Sequence, residues 1–131
     1  MTTYETYLLA VGEDFPTIVC LCGSTRFSEA FHQANLNETL KGKIVLSIGC
    51  DFKSDEALGL SDTDKQRLDV LHLRKIDIAD EILVLNVNDY IGPSTANEIR
   101  YAHARGIPIR WLEPHMCRME NCPCKGYPDI Q

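Results

Sequence analysis

The stretch GPSTANEIRYAHARGIPI (92–109) holds one acidic side chain, Glu98, at the point where a loop turns into a helix. A carboxylate there could act as the nucleophile toward an anomeric carbon, and a first-turn helix dipole would keep it ionised for that task. The same residue completes Thr95-Ala96-Asn97-Glu98, the capping-box pattern of Thr followed three residues later by Glu. On spacing alone, the cap is the plainer reading. A second candidate is CGSTRF (22–27). Gly23 permits a tight turn and close approach to a ligand. Ser24 or Thr25 would cap the next helix and leave backbone N–H groups facing outward as an anion site. Arg26 adds a fork of donors suited to phosphate or carboxylate. The third candidate, His72, carries an imidazole that titrates in the range a general acid needs, although a helix histidine can also simply pack.

The motifs also exclude chemistry. The chain has no G-x4-G-K-S/T and no G-x-G-x-x-G, so a P-loop ATPase and a dinucleotide dehydrogenase lose their usual support. His115, Cys117, Cys122 and Cys124 cluster near the end, but C-x4-C-x-C is not a standard zinc-finger spacing. Cys20, Cys22 and Cys50 lie in or beside apolar runs and read as buried free thiols. Metal binding by the tail cluster is not expected, and a carboxylate such as Glu98 can carry a covalent step with no metal or organic cofactor.

Such residues need a scaffold to hold them. TIVCLC (17–22), bounded by Pro16 and Gly23, reads as a buried strand. Phe27, Ala30, Phe31, Ala34 and Leu40 then recur at helical spacing, with Gly42 as the stop. KIVLSIG (43–49) is a second strand. The following loop carries Asp51, Asp55, Glu56 and Asp62, too dispersed for a metal site. Leu68, Leu71, Ile76 and Ala79 mark a helix over 63–80, EILVLNVN (81–88) a third strand, and IPIRWL (107–112) a fourth. Between these last two strands, the helix of the opening stretch runs to Gly106.

Strands alternating with helices predict a small doubly wound, flavodoxin- or Rossmann-like parallel sheet with helices on both faces. The domain spans 17–112. Residues 1–16 form a lead-in or an edge strand through YETYLLAV (4–11), and 113–131 form a Cys-rich tail. Ligands of such folds bind at the carboxyl ends of the strands, near a topological switch point. The segments placed there are 23–26, 49–62 and 86–95. Within them, Tyr90 could stack on a base, and Asn86 and Asn88 could reach a ligand or simply face solvent. Asp80 reads as a turn residue and Trp111 as core.

The totals fit one soluble domain: 131 residues, 44% hydrophobic and 24% charged. A net charge of -6 argues against duplex nucleic acid as a partner while permitting one local anion site. No apolar run approaches membrane-spanning length, and the N-terminus does not read as a signal peptide, so the expected location is cytoplasmic.

Taken together, VCLCGSTR, LHLRKIDIADEILVLNV and GPSTANEIRYAHARGIPI resemble the nucleoside 2-deoxyribosyltransferase superfamily. That group includes the deoxynucleoside 5'-monophosphate N-glycosidases. The resemblance covers roughly 17–112 and is most specific over 79–109. It implies a covalent glycosyl-enzyme on Glu98, with Gly23, Ser24 and Arg26 beside a bound nucleoside or nucleotide, and Thr25 stays a binding candidate from the turn itself. It also implies a homo-oligomer, with residues after Glu113 offered as a partner contact. Three positions depart from the family pattern. Cys20 stands where a Tyr is usual, His72 where an Asp is usual, and Gly92 where an Asp or Ser is usual. Ser94 and Thr95 are near enough to replace the last of these at the sugar or phosphate end. Two other classes stay open: a non-catalytic nucleotide sensor of the same fold, and a partner protein in which Glu98 only caps a helix.

Overall fold

The computed structural model describes residues 2–11, 14–49 and 58–115. Its centre is a four-stranded, all-parallel sheet of β1 (Ile18–Cys22), β2 (Ile44–Leu46), β3 (Glu81–Val84) and β4 (Ile109–Trp111). The strand order is β2-β1-β3-β4. Among the described residues, the helices that accompany it are α1 (Thr3–Val11), α2 (Ser28–Leu40), α3 (Asp62–Asp77) and α4 (Pro93–Ala104). The predicted doubly wound α/β fold is therefore present. The chain leaves β1 toward β2 on one side and continues to β3 on the other. The switch point thus lies between the carboxyl ends of β1 and β3.

Side-chain alternation along the strands divides the core into two layers. Val19, Leu21, Leu83 and Leu85 point to one face and pack with Phe31 and Ala34 of α2. Cys20, Cys22, Ile82, Val84, Ile109 and Trp111 point to the other, beneath Ile76 of α3 and Ile99 and Ala102 of α4. Each fully buried Leu or Ile side chain contributes about 1.5–3 kcal/mol of apolar transfer free energy. Burial on both faces explains why the strands read as near-continuous apolar runs.

Several boundaries and faces differ from the sequence expectation. Residues 4–11 belong to a helix, because Thr2 and Glu5 form a reciprocal capping box: Glu5 N–H donates to Thr2 Oγ1 at 3.1 Å and Thr2 N–H to Glu5 Oε2 at 2.6 Å. The third strand ends at Val84, and residues 87–89 turn instead in a 3-10 segment with Asn88 and Asp89 at φ 55° and 57°. Leu40 is exposed, and the buried residue of that last turn is Glu38. Its carboxylate is paired with Lys41, Lys43 and Arg110, an ionic cluster that also takes in Glu81 at the start of β3. On α3 the buried residues are His72 and Ile76, whereas Leu71 is exposed. Gly42 and Gly106 do end α2 and α4, at φ +85° and +71°, the left-handed conformation that glycine takes most easily.

Candidate functional site

Four chain segments meet at the carboxyl ends of the strands around a cavity of about 490 Å³, one of them Ile48 and Gly49 after β2. This volume is within the usual range for a small-molecule site, roughly 300–1,000 Å³. The turn after β1 supplies Gly23, Ser24, Thr25 and Arg26, the start of α4 supplies Gly92, Ser94, Thr95 and Glu98, and α3 supplies His72. These nine residues thus border one cavity, although they span 76 positions of the chain, from 23 to 98.

The turn after β1 is held by packing. A Cβ on Gly23 would lie 3.0 Å from Leu85 Cβ, so glycine lets this backbone lie closely against the residue that follows β3. Phe27 N–H donates to Ser24 O at 3.0 Å, and the helix begins only at Ser28. Ser24 and Thr25 therefore do not cap α2; the N-cap is Phe27, without a side-chain cap. Arg26 lies over the Tyr90 ring at 4.3 Å, and Phe27 meets that ring edge-on at 5.9 Å. The predicted base-stacking residue thus carries the guanidinium at the mouth of the cavity.

The opening of α4 also differs from the capping-box expectation. Gly92 is the N-cap and Pro93 the first helical residue, a position suited to proline's fixed φ and missing N–H. Glu98 is then the sixth helical residue, beyond the first turn, and caps nothing. The first intrahelical bond runs from Ala96 N–H to Gly92 O at 2.9 Å. The amides of Ser94 and Thr95 precede it and have no acceptor within the helix, so they are the orphan donors of this helix start.

Glu98 lies deep, with its side chain 14% exposed. Its Oε1 is 3.6 Å from His72 Nε2, and its buried Oε2 has no hydrogen-bond partner. Burial pushes its carboxyl up to about 7, although the facing His72 pulls it down. The sequence expectation of a dipole-stabilised, permanently ionised carboxylate is thus corrected, because depth outweighs a helix end that lies more than a turn away. His72 is itself pressed down by burial, but Cys20 and the Glu98 charge more than offset this and hold it above its ordinary value. Behind it, His72 Nε2 lies 3.6 Å from Cys20 Sγ and 3.6 Å from Cys22 Sγ. Cys20 is lowered to about 6, chiefly by its hydrogen bond with Cys22, while Cys22 is raised by that same bond and by burial.

Other lining residues did not stand out in the sequence. Lys65, Asp69 and Lys75 join His72 on one face of α3. Their spacing from His72 by three or seven residues was the available signal. Arg26, Lys65 and Lys75 bring three cationic groups to the cavity against the two carboxylates of Asp69 and Glu98, an excess of cationic groups in an acidic protein. Lys75 Nζ donates to Ser47 O at 2.6 Å, tying α3 to the end of β2.

Asn86 is not at the cavity. It is fully buried and clasps Glu113, donating to its carbonyl at 3.0 Å and accepting from its N–H at 3.0 Å. Asn88 also turns to Glu113, its N–H donating to Oε2 at 3.1 Å. Asp80 is a turn residue that accepts from Ile18 N–H at 2.8 Å, and Trp111 is core. Cys50, the acidic residues 51, 55 and 56, and the cysteines of the tail lie outside the described residues. Among the described residues, no helix is long and apolar enough to cross a membrane.

No known family profile matches the chain, and no curated protein matches it. Among solved structures, it is similar to a conserved protein from Enterococcus faecalis V583, at 21% identity with a TM-score of 0.52. The match covers 74% of this chain and 63% of that one, so the chain spans less than two thirds of that protein's length. This likeness concerns the α/β fold.

Proposed function

We propose that the protein cleaves the N-glycosidic bond of a nucleoside or nucleoside 5'-monophosphate, as a member of the nucleoside 2-deoxyribosyltransferase superfamily. The observation that carries this reading is the pair at the cavity floor: a buried carboxylate with one unpartnered oxygen, Glu98, facing an imidazole, His72. Glu98 attacks C1', forming a C–O bond as the C–N bond breaks. His72, as imidazolium, gives its proton to the leaving base. Water, or a second base in a transfer reaction, then attacks C1' and frees the Glu98 carboxylate; the proton released by the acceptor returns to His72. Both steps run without a metal or an organic cofactor. At the other end, Gly23, Ser24, Thr25 and Arg26 face the substrate, while Gly92 and the amides of Ser94 and Thr95 receive the sugar or phosphate. The cationic lining favours a 5'-phosphate. A cytoplasmic homodimer belongs to the same reading.

The test is base release. The protein is incubated with ribo- and deoxyribonucleosides and their 5'-monophosphates, and free base is followed by chromatography, with Glu98→Ala in parallel. Release by the wild type and none by the variant is expected. No release from any substrate, together with nucleotide-dependent thermal stabilisation, would replace this reading with a nucleotide sensor, which the Cys20 and His72 departures favour.

A further inference from the structure

The mechanism above leaves Cys20 and Cys22 without a task. They alternate on β1, so both side chains leave the same face of the strand, the face covered by α3 and α4. Both are fully buried, and both sulfurs meet one ring nitrogen from α3. The three potential ligand atoms, the two Sγ and His72 Nε2, all lie within 4.8 Å of one another. In a tetrahedral zinc site, bond lengths of about 2.3 Å to sulfur and about 2.0 Å to nitrogen place those ligand atoms about 3.5 Å apart. The observed separations are 3.6 Å for each sulfur from Nε2. Two of the three edges are thus already at the length of the coordination polyhedron, and the third is within 4.8 Å, so three ligands from two rigid elements need little rearrangement to take a metal.

We propose that Cys20, Cys22 and His72 form a binding site for a thiophilic divalent metal, with Zn²⁺ as the best match. The donor set is soft and borderline, two thiolates and an imidazole, which selects zinc-like ions over magnesium or calcium. Binding releases the thiol protons to solvent and places two thiolates on the metal. The cysteines are sealed in the core, whereas His72 borders the cavity. The fourth position therefore opens toward the cavity, where Glu98 Oε1 lies 3.6 Å from Nε2. Three protein ligands with one position open to a cavity is the arrangement of a zinc site that exchanges its fourth ligand.

One consequence rests on the proposed glycosidase. Coordination occupies the Nε2 lone pair, so a metal-loaded His72 cannot carry a proton to the leaving base. Zinc therefore switches base release off, and a chelator restores it. The site itself does not depend on that activity.

Cobalt(II) tests it by spectroscopy. The full chain is reduced, stripped with a chelator and titrated with Co²⁺. Near-ultraviolet thiolate-to-cobalt charge-transfer bands and the visible bands of tetrahedral cobalt should saturate at one ion per chain and disappear when Zn²⁺ is added. Cys20→Ala with Cys22→Ala should abolish them, while Cys117→Ser with Cys122→Ser and Cys124→Ser should leave them intact. Should the core double variant fail to fold, His72→Gln decides. It keeps both thiols, and loss of the tetrahedral visible bands is expected. Absence of thiolate bands in the wild type overturns the site. So does survival of the tetrahedral visible bands in the His72 variant, or loss of the thiolate bands in the tail variant alone. Bands present without base release from any nucleotide would retain the metal site and remove the glycosidase.

Discussion

His72 Nε2 and Glu98 Oε1 stand 3.6 Å apart, contributed by two helices that pack side by side on one face of the sheet. Neither is a surface group, with His72 8% exposed as a residue and the Glu98 side chain 14% exposed. An acid and a base confined together in this way constrain each other's proton, and that coupling can be measured in the metal-free protein.

Glu98→Gln should stabilise the fold above neutral pH. The Glu98 carboxyl is raised from 4.5 to about 7 in the folded state, chiefly by burial. The folded protein therefore holds this proton more tightly than the unfolded chain does. Its contribution is fully present below 4.5 and is lost as pH rises through about 7. Glutamine imitates the protonated form, so the gain should be near zero at acid pH and reach about 1–3 kcal/mol above neutrality. Denaturant unfolding at several pH values, in chelator, measures it. A capping Glu98 predicts the opposite, a slight loss at every pH.

Base release should have a narrow, bell-shaped pH optimum near neutral. The productive form pairs an ionised Glu98 with a protonated His72. Activity therefore climbs as Glu98 ionises near 7 and falls as His72, itself held above its ordinary value, loses its proton. The pH dependence of kcat/KM for the metal-free enzyme reports both limbs. Full activity at pH 5 would remove Glu98 as the nucleophile.

Arg26→Ala should separate phosphorylated from free substrates. The guanidinium borders the cavity and rests on the Tyr90 ring, so its loss removes a charged donor while leaving the floor of the site in place. A charge-assisted hydrogen bond contributes about 1.5–3 kcal/mol, which corresponds to roughly a 10- to 100-fold rise in KM for the monophosphate. The free nucleoside should change little. Steady-state kinetics on the pair decides it, and equal losses on both would place the phosphate elsewhere.

The legible features were those fixed by short-range pattern. Val19 and Leu21 alternate with Cys20 and Cys22, and this period of two gives a strand whose faces are both covered. Gly42 and Gly106 announce helix stops because their backbone turns left-handed. Gly23 to Arg26 and Gly92 to Thr95 border one cavity because both segments follow the carboxyl ends of neighbouring parallel strands, β1 and β3. Features set by competition between signals were less legible. Pro93 starts α4 two residues before Thr95, and that displacement moves Glu98 from a cap to the cavity floor. Thr2 and Glu5 cap a first helix that the apolar run alone suggests could be a strand. Contacts across the chain carry no local signature at all: fifty positions separate Cys22 from His72, which stands on the buried face of α3 in place of the expected Leu71.

Glu38 is the structural counterpart of this buried chemistry, and its loss should be among the costlier substitutions outside the cavity. It lies 2% exposed on α2, where Leu40 had seemed the natural inward residue. Lys43 Nζ reaches Glu38 at 3.4 Å and Glu81 at 2.8 Å, and Arg110 of β4 also bonds both carboxylates. The cluster thus joins α2 and the segment entering β2 to the two strands β3 and β4. Glu38→Ala removes the buried anion and leaves Arg110, itself little exposed, with Glu81 as its remaining carboxylate. Removing one partner of a buried ion cluster costs about 3–5 kcal/mol. Glu38→Met preserves side-chain volume without charge and should fall just as far, because the deficit is electrostatic rather than a cavity. Urea unfolding of both variants separates the two causes. Recovery of stability in the Met variant alone would show that packing, and not the ion pairs, holds α2 to the sheet.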